Sequence, residues 1–86
     1  MIIRYSSLFI KELKKLTKEK QASADKREKI FRKDPFDPKL KTHKLSGKLK
    51  DYWAFSLTYS DRVLFRFINK EEVIFYKIGS HDIYKV

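Results

Sequence analysis

The sequence contains no cysteine, so it can form neither a disulfide framework nor a zinc site with thiolate ligands. It has only two glycines, Gly47 and Gly79, and therefore lacks the glycine-rich loop that cradles phosphates in many nucleotide-binding proteins. No apolar run reaches the roughly 18 residues that a transmembrane helix needs. The N-terminal residues also lack the apolar stretch of a signal peptide. These absences predict a cytoplasmic protein with no membrane partner.

Residues able to bind a metal ion are scattered along the sequence rather than clustered. The two histidines, His43 and His81, lie 38 residues apart, and no H-x-x-x-H or D-x-D spacing occurs. Zinc and calcium sites need such clusters, so neither a metal site nor a cofactor is expected. Ser80, His81 and Asp82 are consecutive, and consecutive strand residues point to opposite faces. They are therefore not expected to form a catalytic triad.

Positive charge is what the sequence has in excess. The 86 residues include 21 Lys+Arg and 11 Asp+Glu, a formal net charge of +10. Residues 1–33 hold 11 basic and 4 acidic residues, net +7, whereas residues 52–86 hold 5 and 4, net +1. Such an excess favours an anionic partner, namely nucleic acid, an acidic protein or anionic lipid. Any single lysine can still be no more than a solvated surface residue.

A chain of this length forms one domain, residues 1–86, whose N-terminal part is predicted to be a short strand and two helices. Ser6 or Ser7 can cap the first helix. Apolar residues then recur at helical spacing: Phe9, Leu13 and Leu16 in the first helix, and Ala24, Ile30 and Phe31 in the second. The second helix covers about residues 18–33 and ends before Pro35, because proline disfavours helical geometry in the preceding residue.

After residue 51 the apolar residues alternate with a period of two, which predicts three strands. The alternating sets are Trp53, Phe55 and Leu57, then Val63, Phe65 and Phe67, then Val73, Phe75 and Lys77. Short polar connections at 59–61 and 69–71 predict an antiparallel meander. Two helices on one face of this sheet give an α+β domain of order β-α-α-β-β-β. Residues 34–51 contain both prolines and are predicted to form a long loop.

Three residues suit the metal-free cleavage of RNA. His43 lies in the basic loop, Arg62 opens a strand and His81 follows the last strand, so a meander could bring them near one sheet edge. Histidine can remove the proton of a ribose 2′-hydroxyl or protonate the leaving 5′-oxygen, and arginine can stabilise the charge on the phosphorane between them. Spacing alone equally allows bystander histidines, and an ion pair of Arg62 with Asp61 or Glu72.

Two segments resemble a known family of proteins. They are DPFDPKLKTHKLSGKLKDYWAFSLTYSDRVLFRF, residues 34–67, and IGSHDIY, residues 78–84. With the two predicted helices ahead of them, they resemble the RelE/ParE superfamily of type II toxin–antitoxin toxins, and within it the YafQ-like and YoeB-like mRNA endonucleases. The resemblance implies a ribosome-dependent, metal-independent endoribonuclease that acts on mRNA. It also implies an acidic antitoxin as partner and no small-molecule cofactor.

The resemblance also implies roles for individual residues. His43 stands where YafQ-like toxins have a histidine and YoeB-like toxins a glutamate base, Arg62 matches a phosphate-contacting arginine, and His81 matches a catalytic histidine. RNA contacts are implied for Lys44, Lys48, Lys50 and Tyr84. Gly47 would allow the tight turn between the lysines. Trp53 begins an alternating strand and is expected in the core rather than as a base-stacking platform.

Three positions depart from the family pattern. Lys44 replaces the usual proline, Ser56 stands where YafQ-like toxins have a second histidine, and Tyr84 follows His81 by three residues instead of four. Two other hypotheses stay open: a ParE-like toxin acting on DNA gyrase, and a non-catalytic module that binds RNA or the ribosome through charge alone. The set of His43, Arg62 and His81 favours the nuclease.

Overall fold

Two helices and five strands make up the part of the chain that the computed structural model describes, residues 1–80. The helices are α1, Ser7–Lys14, and α2, Lys18–Lys33; the strands are β1, Ile2–Tyr5, β2, His43–Lys44, β3, Trp53–Ser56, β4, Arg62–Asn69, and β5, Glu72–Gly79. Short 3-10 turns lie at Pro38–Leu40 and Gly47–Leu49. Neither of these helices is long and apolar enough to cross a bilayer.

Side-chain caps fix the beginnings of both helices. Each capping hydroxyl accepts a hydrogen bond from the backbone N–H three residues later, at 3.0 Å for Ser6 and 3.2 Å for Thr17. Helix α2 ends at Asp34, whose backbone is extended (φ −158°, ψ 105°), as the following Pro35 requires. The predicted cap at Ser6 and the predicted second helix over residues 18–33 are therefore confirmed.

The sheet is mixed: it contains the predicted antiparallel meander and, beside it, one parallel pair of strands. Its strand order is β1-β5-β4-β3-β2, in which β3, β4 and β5 form the predicted meander. Strand β1 pairs parallel to β5, from Ile2 beside Glu72 to Tyr5 beside Phe75. A short turn can join only antiparallel neighbours, whereas β1 reaches β5 through the whole intervening chain. The local apolar period does not encode the direction of such a distant pair.

The segment 34–51 has more structure than the predicted loop. Besides its two 3-10 turns it contains β2, which pairs antiparallel with β3 and places His43 beside Ala54. Leu40, in the first turn, is fully buried. Gly47 has a φ of +64°, which confirms that the turn there uses the left-handed conformation that glycine adopts easily. His43 therefore lies on an edge strand instead of in a loop.

The helices cover one face of the sheet and enclose an aromatic core. The ring centroid of Phe31, in α2, lies 5.0 Å from those of Phe55 and Phe65 and 5.1 Å from that of Phe75. All four side chains are fully buried. The same cluster includes Ile3, Phe9, Ala24, Leu40, Leu57, Val63, Val73 and Ile78. Trp53 is half-buried and packs against this cluster, as the alternation predicted.

A β-bulge alters the predicted face pattern of β5. The register shifts between Leu64 and Phe65 of β4, which leaves Tyr76 as an extra residue in β5. After the bulge, Ile78 belongs to the buried core. Lys77 pairs with Leu64 and so lies on the opposite face, whereas the uninterrupted alternation placed it on the core face.

Candidate functional site

Two of the candidate residues, His43 and Arg62, lie on the sheet face opposite the helices, here called the helix-free face. Paired residues of an antiparallel sheet share a face, as do residues two apart in one strand. His43 pairs with Ala54, and Arg62 pairs with Ser56. Because Ala54 and Ser56 flank the core residue Phe55, both belong to the helix-free face. His43 and Arg62 therefore lie on that face together.

His43 and Arg62 are separated by strand β3. Neighbouring strands lie about 4.8 Å apart, and successive residues along a strand lie about 3.3 Å apart. Two strand spacings in one direction and two residues in the other separate the Cα atoms of His43 and Arg62 by about 12 Å. The β3 residues between them, Ala54 and Ser56, have small side chains. The spacing is too wide for direct contact and suits groups that meet a ribose and its phosphate from two sides.

The backbone of Lys41 orients the imidazole of His43. Nδ1 of His43 lies 3.0 Å from the carbonyl oxygen of Lys41. A carbonyl oxygen only accepts, so Nδ1 carries the proton, and in the neutral ring Nε2 carries the lone pair. Lys41 itself has a φ of 53°, a left-handed conformation uncommon for residues other than glycine. The contact gives His43 a basic nitrogen of defined identity, as a general base requires.

Arg62 begins β4 and is held by the hairpin that precedes it. Its Nη1 donates to two backbone carbonyl oxygens of that hairpin, at 3.2 and 3.4 Å. The sequence spacing allowed Asp61 or Glu72 to pair with Arg62, but both carboxylates pair with other cations. Asp61 pairs with Lys20, at 3.2 Å, and Glu72 pairs with Arg4. Within residues 1–80, Arg62 thus has no carboxylate partner. Its guanidinium charge is available to an anionic ligand.

Asp61 fixes the conformation of this hairpin. Its Oδ2 accepts a hydrogen bond from the Thr58 hydroxyl, at 2.5 Å, and pairs with Lys20 of helix α2. Burial by itself would raise the pKa of Asp61, but the hydrogen bonds from Thr58 and Lys20 outweigh it, so the pKa lies below its ordinary value. No local sequence pattern predicts this interaction, because Lys20 and Asp61 are far apart in the chain.

The three predicted RNA-binding lysines fall into two groups. Lys44 and Lys50 line one cleft of about 480 Å³ beside the start of β3, together with Arg66 and one carboxylate, that of Asp51. The Nζ atom of Lys44 lies 6.0 Å from the centre of the Trp53 ring, within cation–π range. Lys48 is exposed in the second 3-10 turn and does not line this cleft. The structure therefore brings Lys44 and Lys50 together and leaves Lys48 apart.

Arg66 is a candidate residue that the sequence predictions omitted. It lies four residues after Arg62 in the same strand and so shares the helix-free face. Its guanidinium carbon is 5.9 Å from the ring centre of Tyr52, and the rings of Tyr52 and Tyr76 are 5.8 Å apart. The sequence signal was the even spacing of Arg62 and Arg66, which puts both on one face of a predicted strand. Together these side chains offer cationic and aromatic groups to a nucleic acid.

Two predicted site residues, His81 and Tyr84, lie outside the described residues, and their roles stay predictions. The last residue of β5 is Gly79, which pairs with Arg62. Strand β5 therefore ends beside Arg62, at a residue that precedes His81 by two positions in the sequence.

Comparison with known proteins identifies the fold. No family model and no curated protein sequence matches this chain. Among solved structures, YafQ from E. coli strain BL21(DE3) matches with a TM-score of 0.77 and 17% identity, over 98% of this chain and 97% of that one. A YoeB/ParE toxin from Agrobacterium tumefaciens matches with a TM-score of 0.76 and 15% identity, over 94% and 99%. The toxin–antitoxin complex RelBE2 from Mycobacterium tuberculosis gives 0.77 and 15%, over 93% and 96%.

These similarities extend over nearly the whole length of each chain. The protein has the α+β fold of the YafQ, YoeB and RelE toxins, with two helices packed on a five-stranded mixed sheet. The resemblance to the RelE/ParE superfamily is confirmed at the level of the fold. At these identities the match does not assign an activity, which has to be argued from the residues of the helix-free face.

Proposed function

We propose that this protein is the toxin of a type II toxin–antitoxin pair and an endonuclease that cleaves ribosome-bound mRNA without a metal ion. One observation carries the proposal. On a YafQ-like fold, His43 and Arg62 share the helix-free face about 12 Å apart, with small side chains between them. This arrangement places a base and a cation on one face of the sheet, at a spacing that suits a ribose and its phosphate.

The proposed reaction is an attack by the ribose 2′-oxygen on the adjacent phosphorus. Nε2 of His43 accepts the 2′-hydroxyl proton while Nδ1 stays bonded to the carbonyl oxygen of Lys41. The guanidinium of Arg62 stabilises the negative charge that builds on the phosphorane oxygens. His81, assigned from the sequence resemblance, donates a proton to the departing 5′-oxygen. The products are a 2′,3′-cyclic phosphate and a 5′-hydroxyl.

An acidic antitoxin is the proposed protein partner. One of the similar structures is a toxin–antitoxin complex, and the chain carries a formal net charge of +10. An acidic chain that wraps this surface would be attracted by the same charge that draws RNA. The antitoxin would then inhibit the toxin by occupying the surface that its substrate needs.

Ribosome-bound mRNA with a single 2′-deoxy substitution at the scissile nucleotide tests the mechanism. We expect the wild type to cleave the unmodified mRNA and to leave the deoxy substrate intact, because the attacking oxygen is missing. EDTA, added after the substrate has assembled on ribosomes, should not abolish cleavage. Cleavage of the deoxy substrate at the normal rate would refute the proposed route.

Variants of the site residues test their roles with the same substrate. His43→Ala, His81→Ala and Arg62→Ala should each slow cleavage by about 100-fold or more. Arg62→Lys keeps the charge but loses the planar fork, so it should retain part of the rate. Circular dichroism checks that each variant is folded. A folded His43→Ala/His81→Ala double variant with full activity would exclude the histidine pair, and binding without cleavage by the wild type would favour the non-catalytic module.

A further inference from the structure

A second cationic cleft lies at the opposite end of strand β3. Its volume is about 290 Å³. Its lining residues are Arg27, Lys39, Lys41, Ser56, Thr58, Tyr59 and Arg62. Four of these seven carry positive charge, and residues 1–80 contribute no carboxylate to the lining of the cleft. The cations come from α2, from the region around the first 3-10 turn and from the start of β4, so the fold assembles a cluster that no local sequence pattern contains.

The cations of this cleft are not neutralised by carboxylates of residues 1–80. The ion pairs in that range are Arg4–Glu72, Lys20–Asp61 and Lys29–Asp25. Arg27 donates to the backbone carbonyl oxygen of Lys39, and Arg62 donates to hairpin carbonyl oxygens. Like charges held this close repel one another in the free protein, and a bound anion would remove that cost. The cleft therefore fits an anionic group.

The cleft is continuous with the proposed active site. Arg62 belongs to both, and the carbonyl oxygen of Lys41 orients His43 while the Lys41 side chain lines the cleft. At the other end of β3, Lys44 and Lys50 line the first cleft. The four residues of β3 span about 13 Å, so an RNA strand along β3 would place successive phosphates in the two clefts and between them.

An exposed aromatic residue stands at the edge of the second cleft. The side chain of Tyr59 is 99% exposed, at the tip of the hairpin between β3 and β4. The hairpin on either side of it is held by the Thr58–Asp61 and Lys20–Asp61 contacts. An aromatic ring on an ordered turn beside a cationic cleft is the arrangement on which single-stranded bases stack.

We propose that this cleft binds the RNA backbone phosphate next to the scissile phosphate, and that Tyr59 stacks on the base of the same nucleotide. Lys39 and Lys41 would bind the phosphate, and Arg62 would contact both phosphates. The inference rests on the proposed function, since it defines the neighbouring phosphate by the position of cleavage. The cleft would be a second point at which the protein contacts the RNA. Two contact points define the direction of the RNA strand, which would run along β3 from one end to the other.

The first test is the double variant Lys39→Gln/Lys41→Asn. Asparagine tolerates the left-handed conformation of residue 41, so the carbonyl that orients His43 should stay in place. We expect KM for ribosome-bound mRNA to rise about tenfold, the value of one lost charge-assisted contact, with little change in kcat. The control variant Lys11→Gln/Lys70→Gln removes the same charge from exposed positions outside the cleft and should leave KM unchanged.

The second test combines that variant with a modified RNA. A neutral methylphosphonate is placed, one position at a time, at each phosphate flanking the cleavage site. At one of the two flanking phosphates, the substitution should raise the KM of the wild type about tenfold. The same substitution should not raise the KM of the double variant further, because the contact is already lost. Tyr59→Ala should also raise KM, whereas Tyr59→Phe keeps the aromatic face and should not.

Each alternative result contradicts the inference. If the methylphosphonate and the double variant have additive effects, the cleft does not bind that phosphate. If the wild type is insensitive to substitution at both flanks while the double variant is still weakened, the cleft contacts another anion, such as ribosomal RNA. In both cases the wild type still cleaves mRNA and the proposed function stands. A wild type that cleaves no mRNA would refute the proposed function, and this inference with it.

Discussion

The two faces of the sheet are formed by the same strands but carry different kinds of side chain. On the helix-covered face the side chains of β4 are buried in an aromatic core, as Val63 and Phe65 show. On the helix-free face the same strand presents Arg62 and Arg66, with the buried Leu64 between them. Alternation along a single strand thus places both of its arginines on the face opposite the aromatic core.

The difference between the two faces shows how a small domain can be stable and still carry a strongly cationic surface. A chain of 86 residues buries a limited core, and here that core is rich in phenylalanine, the residue type that buries a large apolar area per side chain. The helix-free face and the clefts at the two ends of β3 gather like charges that weaken the free fold and favour an anionic ligand. Changes to the core face should therefore alter stability, and changes to the helix-free face should alter binding and catalysis.

The largest effect is expected at the centre of the core. Phe31→Ala should lower the free energy of unfolding by about 3–5 kcal/mol, because it removes a fully buried ring from among three others and leaves a cavity. Urea denaturation followed by the fluorescence of Trp53 measures the loss. Tyr59→Ala removes an aromatic ring that is almost fully exposed and should change stability by less than about 0.5 kcal/mol. Equal losses in the two variants would contradict the division between core and surface.

A smaller effect on stability is expected at the hairpin. Asp61→Asn should cost about 1 kcal/mol near neutral pH, since it weakens the bonds to Thr58 and Lys20 in a partly exposed setting. Folding lowers the pKa of Asp61. Its stabilisation is therefore fully present above the unfolded pKa of about 3.9 and is lost as the pH falls through the lower folded value.

The difference in stability between wild type and Asp61→Asn should thus stay constant from about pH 7 to pH 5 and shrink below about pH 4. Urea denaturation at a series of pH values measures it. Asp25→Asn is the matched control, because the Asp25–Lys29 pair joins two exposed side chains and should contribute little. A difference that widens on acidification would show that Asp61 does not act as a charged acceptor.

The smallest effect on stability, and a specific effect on binding, is expected for the lysines of the first cleft. Lys44→Ala/Lys50→Ala should reduce the log–log salt dependence of RNA binding by about 1.4, or about 0.7 for each phosphate contact with a single strand. The urea midpoint should hardly move. Lys11→Ala, at an exposed position outside the cleft, should leave the salt dependence near the wild-type value. An unchanged slope in the double variant would mean that Lys44 and Lys50 are merely solvated.

Much of the fold could be predicted because its determinants are local. A capping serine, an apolar stripe and a proline determine where a helix begins, which face is buried and where the helix ends. The strands of the meander alternate with a period of two and are joined by short polar turns. The resemblance of the segments around His43 and Arg62 to the toxins of this fold also depended on residues adjacent in the chain, and the structural matches confirmed the fold that it implied.

What the sequence alone determined about this protein is therefore its helices, its meander and its excess of positive charge. Tertiary structure alone decided the parallel pairing of β1 with β5, the pairing of His43 with Ala54, and the bulge at Tyr76. It also decided that Arg27, Lys39, Lys41 and Arg62 surround one cleft. Contacts between distant residues depend on how whole elements pack, because such a contact is favourable only after the intervening chain has folded. The local spacing of apolar residues carries no information about that packing.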